Sequence, residues 1–448
     1  MFTIRHGRSC RATFLFATVF LSASFMFFTW NIDYQAKPMT DRLHVSVIIN
    51  DTIAKKGSFF EAAIRQVHQQ LGDKMDLLQE FDDTLLKQRQ NHATQMCSVL
   101  KRFEMADTMR RVSYYKNINV LYCSVPKVGT KFWFRMFHVM ETGEHTSPFE
   151  IPDGPKSPYH ISNSVNNAEI AKRIKLAQKI IFTRDPYKRI FSTYIDKLVS
   201  PNGRYWSMGR KILKIVRKSK LNTKFQCGHD VQFGELVKYL IASDPESYDQ
   251  HLKPVSSQCD VCDIHYDVIG KVETFKHDVM YILNITNASE KGVTFKDFAE
   301  EKNVDNIIFK VRRAFALKKL SLKCISDHMV HLRLWRVLQI GGLIDKFDNY
   351  PLNQDESREA NVTVITDLML RAYGRSTHAA RFNKQEALLQ AYSQVPLEDL
   401  EQLRLKYLRD LILFDYEDRP SYLFDGKGSA KPKNKNSFDY YDAMSLSL

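Results

Sequence analysis

The chain has 448 residues, of which 44% are hydrophobic and 26% are charged, and its formal net charge at pH 7 is +14. This composition excludes a wholly disordered chain, and the length allows one large domain with appendages. The positive charge indicates an anionic partner or substrate. It does not distinguish between nucleic acid, an acidic membrane surface, nucleotide phosphates and a polyanionic sugar.

An uncharged apolar segment near the N-terminus predicts a membrane span. It covers residues 12–30, which is long enough to cross a bilayer, and Arg5, Arg8 and Arg11 precede it. The positive-inside tendency assigns residues 1–11 to the cytosol and the bulk of the chain to the lumen. A cleaved signal peptide is the alternative, but its apolar core would be long and no clear cleavage site follows. We therefore expect a single-pass type II membrane protein with an uncleaved anchor.

Cysteines and glycosylation sequons agree with a lumenal chain. One cysteine, Cys10, lies on the cytosolic side, and an even number remains, so disulfides are expected in an oxidising lumen. Asn-x-Ser/Thr sequons are compatible with passage through the secretory pathway. The lumenal cysteines are Cys97, Cys123, Cys227, Cys259, Cys262 and Cys324, and the sequons begin at Asn50, Asn284, Asn287 and Asn361.

Residues 31–114 form the predicted stem between the membrane and the catalytic domain. Apolar residues recur every three or four positions from Ile64 to Leu85, which predicts a long amphipathic helix. This stripe fits a stem that forms a homodimer, and it fits equally a helix packed on the catalytic domain.

From about residue 115 short apolar runs alternate with helical patterns, which is typical of strand-helix units. We predict one α/β domain over residues 115–425, with a mainly parallel sheet flanked by helices. The last segment, residues 426–448, is predicted to be a disordered tail. Its first part, Gly426–Ser437, is rich in Lys, Gly, Ser, Pro and Asn and has almost no apolar residue.

The first candidate site is a loop between a buried strand, residues 118–125, and a helix that includes residues 132–137. Unpaired backbone N–H groups and the helix dipole favour an anion at such a helix start, and a glycine lets the loop approach a phosphate closely. A lysine in the loop can stabilise negative charge on a leaving oxygen. An ordinary β-turn with an exposed lysine explains the pentapeptide equally well. The loop consists of Pro126, Lys127, Val128, Gly129 and Thr130.

A second strand, Lys179–Thr183, leads into another helix start. Asp185 is placed to cap this helix, and Pro186 suits its first position. Arg184 and Ser192 can then converge on one phosphate, through a two-pronged charged contact and a hydroxyl group. Taken alone, a surface ion pair and a solvated serine explain the two residues better. The assignment therefore depends on both segments together.

Together the two segments resemble the donor-binding motifs of the Golgi carbohydrate sulfotransferases, in the branch of the chondroitin/dermatan 4-O- and HNK-1-type enzymes. The segment His251–Phe275 resembles the histidine-proline, cysteine-pair and tyrosine-aspartate-glycine-lysine blocks of that branch. Tyr407–Tyr416 is similar to its closing segment. The likeness extends in order over residues 115–420.

The resemblance implies an enzyme that transfers sulfate from 3′-phosphoadenosine 5′-phosphosulfate to a hydroxyl of a glycan. The glycan would be of the chondroitin/dermatan type or would contain N-acetylgalactosamine or glucuronate. A P-loop-like fold in the Golgi membrane is implied, with no metal and no nucleic-acid partner. Lys127, Gly129 and Thr130 would hold the 5′-phosphosulfate, and Arg184 and Ser192 the 3′-phosphate. Lys131 departs from the branch, which usually has a hydroxyl residue there.

His251 is the candidate general base, because an imidazole titrates near neutral pH and this residue opens a recognised block. A structural histidine packed beside Pro254 is the alternative. Asp267 and Glu273 are alternative bases or hydrogen-bond supports.

Two further features allow more than one interpretation. Cys259 and Cys262 fit a redox pair or half a zinc site, but structural disulfides, with Cys227 or Cys324 as partners, suit an oxidising lumen better. The basic segment over residues 204–224 fits a polyanionic sugar, and it fits equally a solvated helix face.

Two other functions compete with sulfate transfer. A Golgi kinase would use the same kind of loop, but the chain has no Gly-x-x-x-x-Gly-Lys-Ser/Thr motif and no clear magnesium-binding set. A catalytically inactive glycan-binding protein of the same fold is the non-enzyme alternative. The feature that favours it is Lys131, which departs from the pattern of the branch.

Overall fold

The computed structural model describes residues 83–100, 111–151, 172, 175–217, 227–425 and 438–445. The predicted cytosolic tail, the predicted membrane span, the sequon at Asn50 and most of the predicted stem lie outside these residues. Within the described ranges, no helix is both long enough and apolar enough to cross a membrane.

A four-stranded sheet lies at the centre of the described chain, with the strands in the order β1-β2-β3-β4. β1 (Val112–Tyr115) runs antiparallel to β2 (Val120–Cys123), whereas β2, β3 (Gln178–Thr183) and β4 (Val268–Lys271) run parallel. Side chains on both faces of β2 are buried, as its unbroken apolar run predicts. The predicted α/β fold with a mainly parallel sheet is confirmed. The sheet begins at Val112, before the predicted domain boundary at residue 115.

Helices flank the sheet and make up most of the remaining structure. Their caps follow the local sequence, as in the helix Phe233–Ala242, where Gln232 and Glu235 form a capping box. The helices are α1 (Thr84–Val99), α2 (Thr130–Thr142), α3 (Pro186–Tyr194), α4 (Trp206–Val216), α5 (Phe233–Ala242), α6 (Val261–Ile264), α7 (Phe275–Ile285), α8 (Phe298–Ala316), α9 (Lys318–Ser321), α10 (Asp327–Ile340), α11 (Gln354–Glu359), α12 (Val362–Arg375), α13 (Asn383–Tyr392), α14 (Leu397–Leu413), α15 (Ser421–Phe424) and α16 (Asp442–Ser445).

Buried apolar side chains form three main clusters. The first surrounds the sheet and includes side chains of α1, α2 and α7. The second joins α3, α5 and α14, and the third joins α8, α10 and α12. α2 and α3 begin just after the carboxyl ends of the neighbouring parallel strands β2 and β3. This edge of a parallel sheet is where α/β proteins usually bind their ligands.

The helix α1 packs on the sheet, although sequence reasoning assigned it to the stem. The guanidinium of Arg89 is buried and donates hydrogen bonds to Asp278 at 2.8 Å and to Thr274 at 2.9 Å. Cys97 of the same helix forms a disulfide with Cys262. This part of the stem therefore belongs to the catalytic fold. The apolar stripe proposed for dimerisation lies outside the described residues except for its last position, Leu85.

All six described cysteines are paired, so the structural-disulfide interpretation of the Cys-x-x-Cys pair is confirmed. Cys262 pairs with Cys97 of α1, and Cys259 pairs with Cys123 of β2. Cys227 and Cys324 pair with each other and not with the Cys-x-x-Cys pair. Each bridge closes a loop of roughly 100 residues or more, which contributes on the order of 4 kcal/mol in the chain-entropy account. The disulfides are Cys97–Cys262, Cys123–Cys259 and Cys227–Cys324.

The described end of the C-terminal segment is packed against the domain. Tyr440 is buried, and its hydroxyl donates a hydrogen bond to Glu386 at 2.8 Å. Arg336 forms an ion pair with Asp442 at 2.7 Å. The predicted disorder of residues 426–448 therefore does not hold for Phe438–Ser445, because aromatic side chains anchor this stretch. The biased composition that motivated the prediction lies in residues 426–437, outside the described residues.

Candidate active site

The loop between β2 and α2 has the backbone geometry of an anion-binding turn. Lys127 has a φ of 74° and Gly129 a φ of 87°, so two loop residues lie in the left-handed region. Gly129 is the N-cap of α2, which begins at Thr130. The unpaired N–H groups of the first helical turn and the positive end of the helix dipole therefore lie at the loop.

Two other loop residues are engaged within the protein. The side chain of Val128 is fully buried in the core around the sheet. The hydroxyl of Thr130 donates a hydrogen bond to the carbonyl oxygen of Val125. The predicted hydrogen bond from Thr130 to a phosphate therefore requires this proton to change its partner.

Gly129 is also constrained by its surroundings. A Cβ atom added there would lie 2.7 Å from a ring carbon of Phe275. Only glycine satisfies both the left-handed backbone and this close approach.

The second segment has the local structure that its residues predict. Asp185 is the N-cap of α3, and its carboxylate accepts a hydrogen bond from the N–H of Lys188 at 3.1 Å. Pro186 is the first residue of the helix. Arg184, at the end of β3, is buried and donates to the carbonyl oxygen of Lys127 at 3.4 Å. The two predicted motifs are therefore in direct contact.

A cavity of about 940 Å³ opens in front of the loop. Residues from three distant parts of the sequence meet in its wall: the loop, the helix α3 and the histidine block. The predicted site residues that line it are Pro126, Lys127, Gly129, Thr130, Ser192 and His251.

Positive charge dominates the described wall of this cavity. Because cationic side chains outnumber carboxylates, the cavity concentrates anions. The cations are Arg111, Lys127, Lys131, Arg135, Lys302, Lys310 and Arg313, and the carboxylates are Asp196 and Asp305.

Arg184 lines a different cavity, of about 280 Å³. Three further cationic side chains, those of Lys188, Arg381 and Lys384, share its wall with the carboxylate of Glu273. Arg184 and Ser192 therefore line different cavities, and their convergence on one phosphate stays a prediction. Burial lowers the pKa of the Arg184 guanidinium, and the nearby charges of Glu273 and Asp185 oppose this shift.

His251 is held by a carboxylate. Its Nδ1 lies 2.6 Å from Oδ1 of Asp249, which leaves Nε2 as the ring nitrogen that can accept a proton. Burial lowers the pKa of His251 to about 4; the hydrogen bond with Asp249 opposes this shift, and the charge of Lys197 adds to it. The imidazole is therefore neutral at pH 7. A neutral imidazole oriented by a carboxylate can accept a proton from a hydroxyl group.

Asp267 and Glu273, the alternative bases, have other contacts. Asp267 accepts a hydrogen bond from the backbone N–H of Lys179 at 2.7 Å. Glu273 accepts hydrogen bonds from the N–H of Asp185 at 3.2 Å and from the hydroxyl of Tyr416 at 3.2 Å. Neither lines the cavity of His251. These contacts fit the hydrogen-bond support that was the other interpretation.

A buried arginine of the second motif connects the loop with the histidine block. Arg189 donates to the carbonyl oxygens of Pro126 at 3.1 Å, Lys253 at 2.6 Å and Gln250 at 3.3 Å. Burial lowers the pKa of Arg189, and the charge of Asp410 opposes the shift. Its role is to fix the two segments relative to each other.

Lys131, the residue that departs from the family pattern, lies in the cavity wall. Its Nζ is 3.2 Å from a carboxylate oxygen of Asp305 and 3.5 Å from the centre of the Phe309 ring. The same carboxylate accepts from Arg135 at 2.8 Å. Lys131 is therefore directed toward α8.

Asp196 and the helix α8 are among the contributors to the cavity that sequence reasoning missed. Asp196 lies four residues after Ser192, one helical turn further along the chain. The helix α8 contributes Lys302, Lys310 and Arg313. The residues of α8 that line the cavity are at positions 302, 306, 309, 310 and 313, which is the spacing of one helix face. This spacing was the signal available in the sequence.

The basic segment over residues 204–224 does not contribute to the cavity among its described residues. Part of it forms α4, and Arg217 forms ion pairs with Asp230 at 2.8 Å and Glu235 at 2.6 Å. The lysines Lys218, Lys220 and Lys224 lie outside the described residues.

The chain is similar to the sulfotransferases, a class of transferases, over the part that contains the sheet and the site. The family model described as "Sulfotransferase family" matches residues 110–331 of this chain. That range includes both donor motifs, the histidine block and α8.

Relatives define the family more closely. Carbohydrate sulfotransferase 11 of Mus musculus is 30% identical over 309 residues, which covers 64% of this chain and 82% of the relative. Carbohydrate sulfotransferase 9 of Homo sapiens is 32% identical over 203 residues, covering 44% of this chain and 45% of the relative. No solved structure matches. This chain belongs to the carbohydrate sulfotransferases and is an enzyme that transfers sulfate from 3′-phosphoadenosine 5′-phosphosulfate to a carbohydrate.

Proposed function

We propose that this enzyme sulfates a hydroxyl of a glycosaminoglycan of the chondroitin/dermatan type, or of another glycan that contains N-acetylgalactosamine or glucuronate. The observation that carries the proposal is the cavity that joins the loop at Lys127, Ser192 and the neutral His251 with an excess of cationic side chains. Such a cavity suits an anionic donor and an anionic acceptor at the same time.

The donor side of the proposal assigns the 5′-phosphosulfate to the loop. The N–H groups at the start of α2 and the ammonium of Lys127 bind the phosphosulfate, and the backbone of Pro126–Thr130 surrounds it. The fit is supported by the two left-handed residues of the loop and by its cationic surroundings. Ser192 and Arg184 bind the 3′-phosphate, and this assignment requires the donor to extend from the large cavity toward the smaller one.

The acceptor side assigns proton removal to His251. Its Nε2 accepts the proton of the attacking hydroxyl, while Asp249 orients the ring through Nδ1. Lys127 stabilises the charge on the oxygen that leaves sulfur.

The cationic face of α8 supports an acceptor that carries carboxylates. Lys310 and Arg313 lie on the same helix face as Lys302, which extends the positive wall beyond the loop. The relatives are carbohydrate sulfotransferases by name, which fits a glycan acceptor.

Golgi residence belongs to the same proposal. It includes a type II orientation with the anchor over residues 12–30 and a glycosylated lumenal domain. Three disulfides support an oxidising compartment. A homodimer formed through residues 31–82 is the remaining part of the proposal.

The acceptor is tested with the purified full-length protein and labelled donor. The panel contains desulfated chondroitin, desulfated dermatan, carboxyl-reduced chondroitin and a neutral N-acetylgalactosamine oligosaccharide, and disaccharide analysis locates the new sulfate. We expect the label on chondroitin or dermatan, with a much lower rate on the carboxyl-reduced chain. Equal rates on the carboxyl-reduced and native chains would contradict the proposed acceptor class, and no transfer to any glycan of the panel would contradict the proposed function.

A further inference from the structure

Asp196 is the carboxylate nearest to the lysine of the donor loop. It lies in a π-helical turn, Ile195–Val199, that continues α3 beyond Ser192. Its Oδ2 is 2.8 Å from Nζ of Lys127 and 3.1 Å from Nζ of Lys197. Lys127 and Asp196 both line the large cavity. The carboxylate of Asp196 therefore occupies the place beside the ammonium group of Lys127 that an anionic donor would take.

The loop lysine is held at several points by the segment that carries the second motif. Its backbone is left-handed, a conformation that a non-glycine residue retains only when its surroundings fix it. Arg184 contacts its carbonyl oxygen and Asp196 its ammonium group. Arg189 contacts the carbonyl oxygen of Pro126, the preceding residue. Of these contacts, only the one with Asp196 determines where the positive charge of Lys127 lies.

Asp196 remains ionised beside the loop. Burial opposes its ionisation, but the charges of Lys127, Lys197 and Lys310 outweigh this effect and hold the pKa of Asp196 well below its usual range. The carboxylate therefore competes with the donor for Lys127 at neutral pH. Competition of this kind weakens binding of the ground state, so it benefits an enzyme only when the transition state recovers the interaction.

We propose that Asp196 is a positioning residue for sulfate transfer, which holds the ammonium of Lys127 until negative charge develops on the leaving oxygen of the donor. The inference rests on the proposed role of Lys127. The acceptor oxygen bonds to sulfur as the bond between sulfur and the bridging oxygen breaks, with its electron pair retained by the phosphate of adenosine 3′,5′-bisphosphate. The hydroxyl proton passes to Nε2 of His251. Lys127 transfers no proton and returns to Asp196 when the bisphosphate leaves.

The Asp196→Asn variant tests this role through separate effects on kcat and on the donor KM. Without the carboxylate, Lys127 binds the donor without giving up another partner, so the donor KM falls by about tenfold, kcat changes little and kcat/KM rises by about tenfold. Adenosine 3′,5′-bisphosphate binds about tenfold more tightly by calorimetry, for the same reason. The Asp196→Glu variant retains the carboxylate and recovers part of the wild-type donor KM. A merely structural role would raise the donor KM or leave it unchanged, and that result would overturn the proposal.

Two controls isolate the contact with Lys127. The Asp305→Asn variant removes the same charge from the same cavity, but Asp305 pairs with Lys131 and Arg135, so the donor KM is not expected to fall. In a Lys127→Ala background, Asp196→Asn should have no further effect on the donor KM, because its partner is absent. An undiminished effect in that background would overturn the inference. Unchanged turnover of the single Lys127→Ala variant would instead refute the proposed role of Lys127.

Discussion

Gly129 provides the sharpest test of the donor loop, because a second glycine caps the other end of the same helix. Gly129 and Gly143 both have a left-handed backbone, with φ of 87° and 70°. A Cβ atom at Gly129 meets the ring of Phe275 at 2.7 Å, whereas a Cβ atom at Gly143 meets nothing within 4 Å. Substitution by alanine therefore imposes similar backbone strain at both sites and a steric clash only at the loop.

The structure sets the size of the effect. A left-handed alanine costs roughly 1–2 kcal/mol at either position. The ring of Phe275 lies among Phe132, Trp133 and Phe182 at centroid distances of 5.4, 6.0 and 5.6 Å, so it has little room to move. Overpacking of this kind adds roughly 1–3 kcal/mol. We expect Gly129→Ala to lower the free energy of unfolding by about 2–5 kcal/mol and Gly143→Ala by about 1–2 kcal/mol.

Urea unfolding and calorimetric titration with adenosine 3′,5′-bisphosphate measure the two consequences. Gly129→Ala should weaken bisphosphate binding at least about tenfold, because the loop must shift away from Phe275, while Gly143→Ala should retain the wild-type affinity. Adding Phe275→Leu should recover stability in the Gly129→Ala protein, since it removes the clashing ring. Equal losses of stability and affinity in the two alanine variants would refute this account of the loop.

Three further predictions concern the rest of the cavity. Ser192→Ala should lower kcat/KM for the donor about tenfold or more by loss of a phosphate contact, and an unchanged donor KM in steady-state assays would count against this assignment. Because burial lowers the pKa of His251 from 6.5 to about 4, the unfolded chain binds the proton more readily in this interval. The stability that the neutral imidazole contributes is therefore complete above about pH 6.5, and up to about 3 kcal/mol of it is lost as the pH falls toward 4. His251→Gln should remove this part of the pH dependence of urea unfolding. The double substitution of Lys310 and Arg313 by alanine should raise the acceptor KM about tenfold and reduce its salt dependence, whereas Arg312→Ala, which does not line the cavity, should do neither.

The parts of the site that follow from the sequence are those encoded within a few residues. Asp185 caps α3 and Pro186 opens it because caps depend on adjacent residues alone. The loop at Lys127 was predictable for the same reason, since a strand, a glycine and a helix start are contiguous. These local features also placed both motifs at the same edge of the sheet.

The parts that escaped prediction depend on contacts across the chain. The cationic face of α8 lies more than a hundred residues after Ser192, and its helical spacing alone does not reveal that it faces the loop. Arg184 was expected beside Ser192, but it lines a separate cavity together with Glu273. The packing of α1 on the sheet depends on a buried ion pair between Arg89 and Asp278. Such pairings are set by the tertiary fold and leave little periodicity in the sequence.

We propose that the loop at Lys127 binds the donor and that Lys127 stabilises the leaving oxygen while sulfate is transferred to a glycan. Transfer of labelled sulfate from 3′-phosphoadenosine 5′-phosphosulfate to desulfated chondroitin, by the full-length wild-type protein and by its Lys127→Ala variant, tests it most directly. We expect transfer by the wild type and a decrease of at least about a hundredfold in kcat for the variant, which corresponds to about 3 kcal/mol of lost transition-state stabilisation. Equal transfer rates for both proteins, with both folded by circular dichroism, would contradict the account.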